Sequence, residues 1–183
     1  MLTVLTSDDR SAFEQRARAG DPAAFGRLIR AWDQDLRGVA WSVVRTASGT
    51  DDVMQDAYER AFRSLDRFDG RSAMKTWMHS IVYRTAIDHV RYEGRRRHDD
   101  VAELRTIAGT DAGSTPDVTV LGREELASVL EDCTPEQRAM LMLTAGLGYS
   151  FDETAEMLGE SRGTVASRVS RTRARLTRWE EER

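Results

Sequence analysis

The sequence predicts an all-α protein: two small helical domains joined by a flexible acidic linker, the C-terminal one a helix-turn-helix. Three observations predict it. Arg and Ala are the commonest residues, with Leu and Glu also frequent, and only three prolines interrupt 183 residues, a balance that favours helix. Apolar residues recur at the helical period in successive segments, with capping signals between them. A charged stretch running into AGTDAGSTP, with little to bury, separates two sets of such segments. The expected boundaries are 8–97 for the first domain, 98–116 for the linker and 117–180 for the second domain.

In the first domain, DPAAFGRLIRAWDQDLRGVAWSVV starts with Asp21 as N-cap and Pro22 at the first helical position, where a missing N–H costs nothing. Phe25, Leu28, Ile29, Trp32, Leu36, Val39 and Val43 then keep the helical period. TASG (46–49) is expected to break that helix and Thr50 to cap the next, with Asp51 and Asp52 placed favourably in its first turn. Val53, Met54, Ala57, Tyr58, Ala61, Phe62 and Leu65 form its inward stripe. RFDGRS (67–72) reads as a loop, and a long helix carrying Trp77, Met78, Ile81, Val82 and Ala86 is expected from Ala73 to Tyr92.

Four helices are expected in the second domain. The first covers 117–131. TPEQ (134–137) opens the next as a capping box, Thr134 with Gln137, and Pro135 again takes the first helical position; Gly146 and Gly148 end it. SFDE (150–153) is a second capping box and starts a short helix through Phe151, Ala155 and Leu158, which Gly159 stops in a left-handed conformation. Ser161 caps the last helix.

Composition excludes several function classes. The hydrophobic share of 40% rules out wholesale disorder. Cys133 is the only cysteine, so no intrachain disulfide and no CxxC site can form, and His79, His89 and His98 show no ligand spacing. The sequence holds no Gly-rich phosphate loop and no nucleophile–base signature, so it predicts no enzyme, no cofactor and no metal. It has no apolar run near membrane-spanning length and no signal peptide, which predicts a cytoplasmic protein without membrane insertion.

The net charge of −4 conceals a partition. Arg84, Arg91, Arg95, Arg96 and Arg97 form one basic cluster, and residues 161–179 form another, with six arginines and no acid. Between them lie Asp99, Asp100, Glu103, Asp111, Asp117, Glu124, Glu125, Glu131, Asp132 and Glu136. Two separated basic patches fit two contacts with one polyanion.

On a helical wheel of ~100° per residue, Val165, Val169, Thr172 and Leu176 make the packing stripe of the last helix, with Ser167, Ser170 and Ala174 opposite. Arg171 and Arg178 sit beside the small residues; Arg168 and Arg175 lie on one flank and Arg173 on the other. Small residues let such a helix sink into a major groove while arginines reach base edges or phosphates. Its N-terminal part is the base-reading end, which makes Arg162, Thr164, Ser167, Ser170 and Arg171 candidate base contacts, and Arg168, Arg173, Arg175 and Arg178 candidate phosphate contacts. The motif leaves open a repressor or activator that binds a palindromic operator without RNA polymerase.

DDVMQDAYERAFRSLDRFDGRSAMKTWMHSIVYRTAIDHVRYEGRRR resembles the first conserved domain of bacterial extracytoplasmic-function sigma factors, and TPEQRAMLMLTAGLGYSFDETAEMLGESRGTVASRVSRTRARL resembles their second. The order of the two and the acidic linker agree. The resemblance implies a factor that binds core RNA polymerase, through its β′ clamp and β flap, and directs it to promoter DNA. The first domain would read the minus-ten element and the second the minus-thirty-five element. It also implies an anti-sigma partner that occludes both domains.

By the same resemblance, Asp52, Gln55, Asp56, Glu59 and Arg63 would dock on the clamp coiled coil. Arg71, Ser72, Lys75, Thr76 and Trp77 would hold an unstacked base of the non-template strand, although Trp77 fits the core equally well. His79, Ser80, Arg84, Asp88 and Arg91 would follow single-stranded DNA or the duplex upstream, with Arg95, Arg96 and Arg97 on phosphates. The sequence departs from the family at Arg84, where Asn is frequent, and at Ala166, where a basic residue is common. The acidic linker fits either a nucleic-acid mimic in the polymerase cleft or a solvated spacer.

Overall fold

The computed structural model describes residues 7–101 and 132–181, and every regular element among them is helical. The first domain holds α1 (Ser7–Arg18), α2 (Pro22–Val44), α3 (Ala47–Ser64), a 3₁₀ turn (Leu65–Arg67) and α4 (Met74–Val101). The described part of the second holds α5 (Pro135–Leu141), a π-helical turn (Met142–Gly146), α6 (Phe151–Leu158) and α7 (Arg162–Glu181).

α2, α3 and α4 pack pairwise around one core, and α1 lies along α2. Leu28, Trp32, Leu36, Val39 and Val43 of α2, Val53, Met54, Ala57 and Ala61 of α3, and Met78, Val82 and Ala86 of α4 are all buried, as their spacing predicts. The Asp21 carboxylate caps α2 by accepting from the Ala23 and Ala24 amides at 2.9 and 3.1 Å, and Arg16 pairs with it at 2.6 Å. The Ala24 amide first, and Arg16 next, hold this carboxyl below the usual aspartate range.

Four expectations need correction. Thr46, not Thr50, caps α3: its hydroxyl accepts from the Gly49 amide at 3.3 Å, and Thr50 sits buried inside the helix, donating back to the Thr46 carbonyl at 2.8 Å. α2 does end just before TASG, at Val44 with Arg45 left-handed, and TASG itself supplies the cap and first turn of α3. α4 runs past Tyr92 to Val101, a charged continuation with no apolar period to signal it in the sequence; Glu93 and Arg96 pair along it at 3.5 Å. Phe62, expected inward, is 42% exposed and leans on Phe25 at 5.5 Å between ring centroids. α1 was not expected, since Phe13 and Ala17 are its only apolar anchors; Arg16 and Arg27 stack over the Phe13 ring. Residues 98–101 of the expected linker belong to α4, and the rest of it, like the helix expected over 117–131, lies outside the described residues.

The capping chemistry of the second domain follows the sequence. Both boxes form, Thr134 with Gln137 and Ser150 with Glu153, and Gly159 adopts φ 69° to stop α6. Met140, Leu143, Met157, Val165 and Val169 close its interior.

The two domains dock. α5 and the π-helical turn rest on α2, and α6 rests on α4, so that buried apolar residues of both form one continuous cluster. Three contacts key the interface. Arg138 of α5 donates to the Ser42 and Val43 carbonyls at the end of α2, at 2.6 and 3.0 Å. The Met142 methyl lies where a Cβ on Gly38 would stand. The Tyr149 hydroxyl meets His79 Nδ1 of α4 at 3.1 Å.

Candidate nucleic-acid and polymerase interfaces

α6, the Gly159 turn and α7 build the helix-turn-helix. Val165, Val169 and Thr172 are buried against the rest of the domain, while Ser167, Ser170 and Ala174 face outward. The side chain of Leu176 is not among those described. Ser161 fixes the start of α7 by accepting from the Thr164 amide at 3.0 Å. Arg162 pairs with Asp152 at 3.3 Å, Arg168 with Glu160 at 3.1 Å and Arg175 with Asp132 at 3.4 Å. Arg171 folds back on its own helix, donating to the Ser167 carbonyl at 3.1 Å. Ion pairs this exposed contribute about 0–1 kcal/mol each, so phosphates can replace their acidic partners at little cost.

Asp51, near the start of α3, is tied to α2. Arg37 of α2 takes Asp51 at 2.6 Å and Asp33 at 3.1 Å, and Tyr58 donates to Asp33 at 2.7 Å. Burial, then the bonded Asp33, pushes the Tyr58 phenol up, and the bond to Asp51 raises Arg37. Asp52, Gln55 and Asp56 are left exposed one helical turn along from Glu59 and Arg63, which pair with each other at 3.1 Å. Such a rim of carboxylates and an amide matches a basic helical partner.

The third candidate surface joins the loop after α3 to α4. Asp69 organises the loop by accepting from the Arg71 amide at 3.1 Å and pairing with its guanidinium at 3.0 Å. Phe68 and Trp77 pack at 5.1 Å between ring centroids, Arg18 lies over the Phe68 ring, and Trp77 is half-buried and anchors the loop to the core. Lys75 is bound by Asp35 of α2. Arg71, Arg84 and Arg91 are exposed, and Ser72 is partly so. Thr76, His79 and Ser80, expected on an open surface, are buried instead. Tyr149 covers His79, with the Thr76 hydroxyl beside it, and Ser80 turns its hydroxyl back to the Trp77 carbonyl at 2.7 Å. Burial first, and Lys75 next, pull the His79 imidazole down to about 4, so it is neutral near pH 7.

Between the domains runs a cleft of about 600 Å³. Arg84, Asp88 and Arg91 line it from α4, and Glu136, Glu160 and Arg168 line it from the second domain. Among the described residues no group of His, Cys, Asp and Glu side chains could hold a metal ion. Among them, too, no helix is long and apolar enough to cross a membrane. The residues that sequence reasoning missed are Gly38, Arg138 and Tyr149. Their role exists only once the domains meet, and neither helical periodicity nor capping chemistry marks it.

A helix-turn-helix with an arginine-flanked, small-residue face, joined to a helical domain with its own basic ridge, defines an all-α DNA-binding protein. Residues 28–96 match the profile of sigma-70 region 2, and residues 123–176 match that of sigma-70, region 4. The chain is 33% identical over 160 residues to the ECF RNA polymerase sigma factor SigM of Mycobacterium tuberculosis, covering 87% of this chain and 79% of that one. It is 30% identical over 187 residues to the same organism's ECF RNA polymerase sigma factor SigC, covering 96% and 94%. CnrH, solved in complex with the cytosolic domain of CnrY, superposes with a TM-score of 0.67 at 26% identity, covering 95% of this chain and 97% of that one. The sigma factor RpoE of Bartonella quintana, solved with the anti-sigma factor NepR, shares the fold with a TM-score of 0.70 at 24% identity, covering 93% and 98%. The chain belongs to the extracytoplasmic-function family of RNA polymerase sigma factors, the non-catalytic initiation factors that direct promoter-specific transcription.

Proposed function

We propose that this chain carries out promoter selection through three separate surfaces. The exposed α3 face, Asp52, Gln55, Asp56, Glu59 and Arg63, binds the β′ clamp of core RNA polymerase, and the second domain sits against the β flap. Arg71, Ser72 and Lys75, with Trp77 as their packing support, hold an unstacked minus-ten base, and Arg84 and Arg91 follow the strand. Flipping a base out of the stack costs a few kcal/mol, which these contacts offset, so the first domain also favours promoter melting. α7 reads the minus-thirty-five element, with Arg162, Thr164, Ser167, Ser170 and Arg171 toward base edges and Arg168 and Arg175 toward phosphates.

The observation that carries this reading is the coexistence, in one chain, of an acidic docking face on α3 with two arginine surfaces, on α4 and α7. A repressor needs the last of these and has no use for the first. The relatives solved with CnrY and NepR support an anti-sigma partner for this chain as well, and the family supports a cytoplasmic site of action. Pull-down with purified core RNA polymerase tests the reading. A sigma factor forms a stoichiometric complex that survives gel filtration, whereas a repressor or activator acting alone elutes apart from the polymerase.

A further inference from the structure

We infer that Arg18 of α1 is a positioning residue for promoter opening: its guanidinium, laid over the Phe68 ring and against the Gly70 backbone, holds the 67–72 loop in the shape that captures a base. The inference rests on the base-capturing role given to that loop in the preceding section.

The loop is fixed at its two ends by its own chain. The Phe68 amide donates to the Leu65 carbonyl at 3.2 Å, and the Trp77 amide donates to the Ala73 carbonyl at 3.0 Å as α4 begins. Between those points Asp69 bonds the Arg71 amide and guanidinium, a pair so exposed that water competes with both bonds. Gly70 takes φ 75°, and a glycine crosses readily between left- and right-handed backbone, so the turn needs support from outside.

That support comes from α1. The Arg18 guanidinium carbon lies 4.6 Å from the centroid of the Phe68 ring. A Cβ on Gly70 would stand 3.3 and 3.4 Å from the two terminal nitrogens of the same group. One side chain thus spans the ring and the turn beyond it. Phe68 in turn packs on Trp77 at 5.1 Å between ring centroids, so the stack runs from α1 through the loop to α4. The foot of the stack is fixed: Ala17 is buried, the Gly20 amide bonds the Ala17 carbonyl at 2.9 Å, and Arg16 pairs with Asp21 at the start of α2. Nor is Arg18 drawn elsewhere. Arg16 and Arg71 each have a carboxylate, whereas Arg18 pairs with none among the described residues, and the electron-rich ring face is what attracts it. A loop ordered before the strand arrives loses less conformational freedom on capture, which raises affinity without a new contact. Arg18 therefore acts through Phe68 and Gly70 and not by touching DNA.

The test uses the chain bound to core RNA polymerase, and the probe is a fluorescently labelled single-stranded oligonucleotide enriched by that complex from a random-sequence pool. Arg18→Ala is expected to weaken binding, read by anisotropy, by roughly two- to fivefold, the range that an exposed cation–π contact supports. It should leave the salt dependence of binding unchanged and speed amide hydrogen exchange across residues 68–72. In a Phe68→Leu background the same change should cost little more, because the ring through which Arg18 acts is already gone. Unchanged affinity and exchange would overturn the inference. So would a log–log salt slope shallower by about 0.7, the mark of a lost phosphate contact on a single strand, or an undiminished cost in the Phe68→Leu background. Arg71→Ala separates this inference from the reading beneath it. Loss of probe binding with Arg71→Ala but not with Arg18→Ala removes the brace and keeps the loop; no loss with either shows that the loop captures no base, and both fall.

Discussion

Arg171 and His79 show how much a single residue's role depends on what surrounds it. Arg171 stands free of the core on the small-residue face of α7, parked on Ser167. A bidentate base contact is worth ~1–3 kcal/mol, so Arg171→Ala is expected to weaken initiation at promoters that carry a minus-thirty-five element while core binding stays unchanged. Equal losses at promoters lacking the element, read by quantitative in vitro transcription, would contradict its role. The wheel position of Arg171 made it legible from sequence alone. His79 was legible only as a polar residue on a helix, because its burial depends on Tyr149, seventy residues away. Its folded pKa lies near 4 and that of an unfolded histidine near ~6.5. The unfolded chain therefore takes up the proton first: stability is full above about pH 6.5, falls as the pH drops toward 4, and the loss is on the order of 3 kcal/mol at most. Urea denaturation at neutral and mildly acidic pH should show a steeper loss for the wild type than for His79→Gln. Parallel losses would mean that His79 is not held neutral by the fold.

Among the elements, α2, α6 and α7 were the most legible, because each begins with a cap whose chemistry is local: Asp21, Ser150 and Ser161 accept from amides within three residues. α1 and the far end of α4 were not, since sparse apolar residues and a run of charged ones leave no periodic signal. Gly159 offers a direct check of the turn. An alanine there must take up φ 69°, which costs roughly 1–2 kcal/mol, so Gly159→Ala should lower the unfolding midpoint; an unchanged midpoint would mean the turn relaxes to another geometry. α3 carries the prediction for the polymerase. Its inward stripe is Val53, Met54, Ala57 and Ala61, and its acids Asp52 and Asp56 are exposed. Asp52→Lys with Asp56→Lys should leave the helical signal and thermal midpoint close to wild type and weaken core binding before it weakens binding to minus-thirty-five duplex. Loss of the fold, or unimpaired core binding, would contradict the docking role.

For the whole molecule, the two helical domains were visible in the pattern of caps and stripes, but their docking was not. Arg138, Met142 and Tyr149 read as ordinary residues of a small domain until α2 and α4 are brought beneath them. Long-range contacts of this kind have no period and no fixed spacing, which is why sequence reasoning expects tethered modules where the structure closes them together. On the reading proposed above, the chain joins core polymerase and engages the promoter at two sites. The central claim of that reading is that the chain alone confers start-site choice. Run-off transcription from a genomic library with sigma-free core enzyme, with and without the chain, tests this most directly. The account predicts a small set of start sites that appear only with the chain and share sequence near minus ten and minus thirty-five; start sites no different from those of core enzyme alone would contradict it.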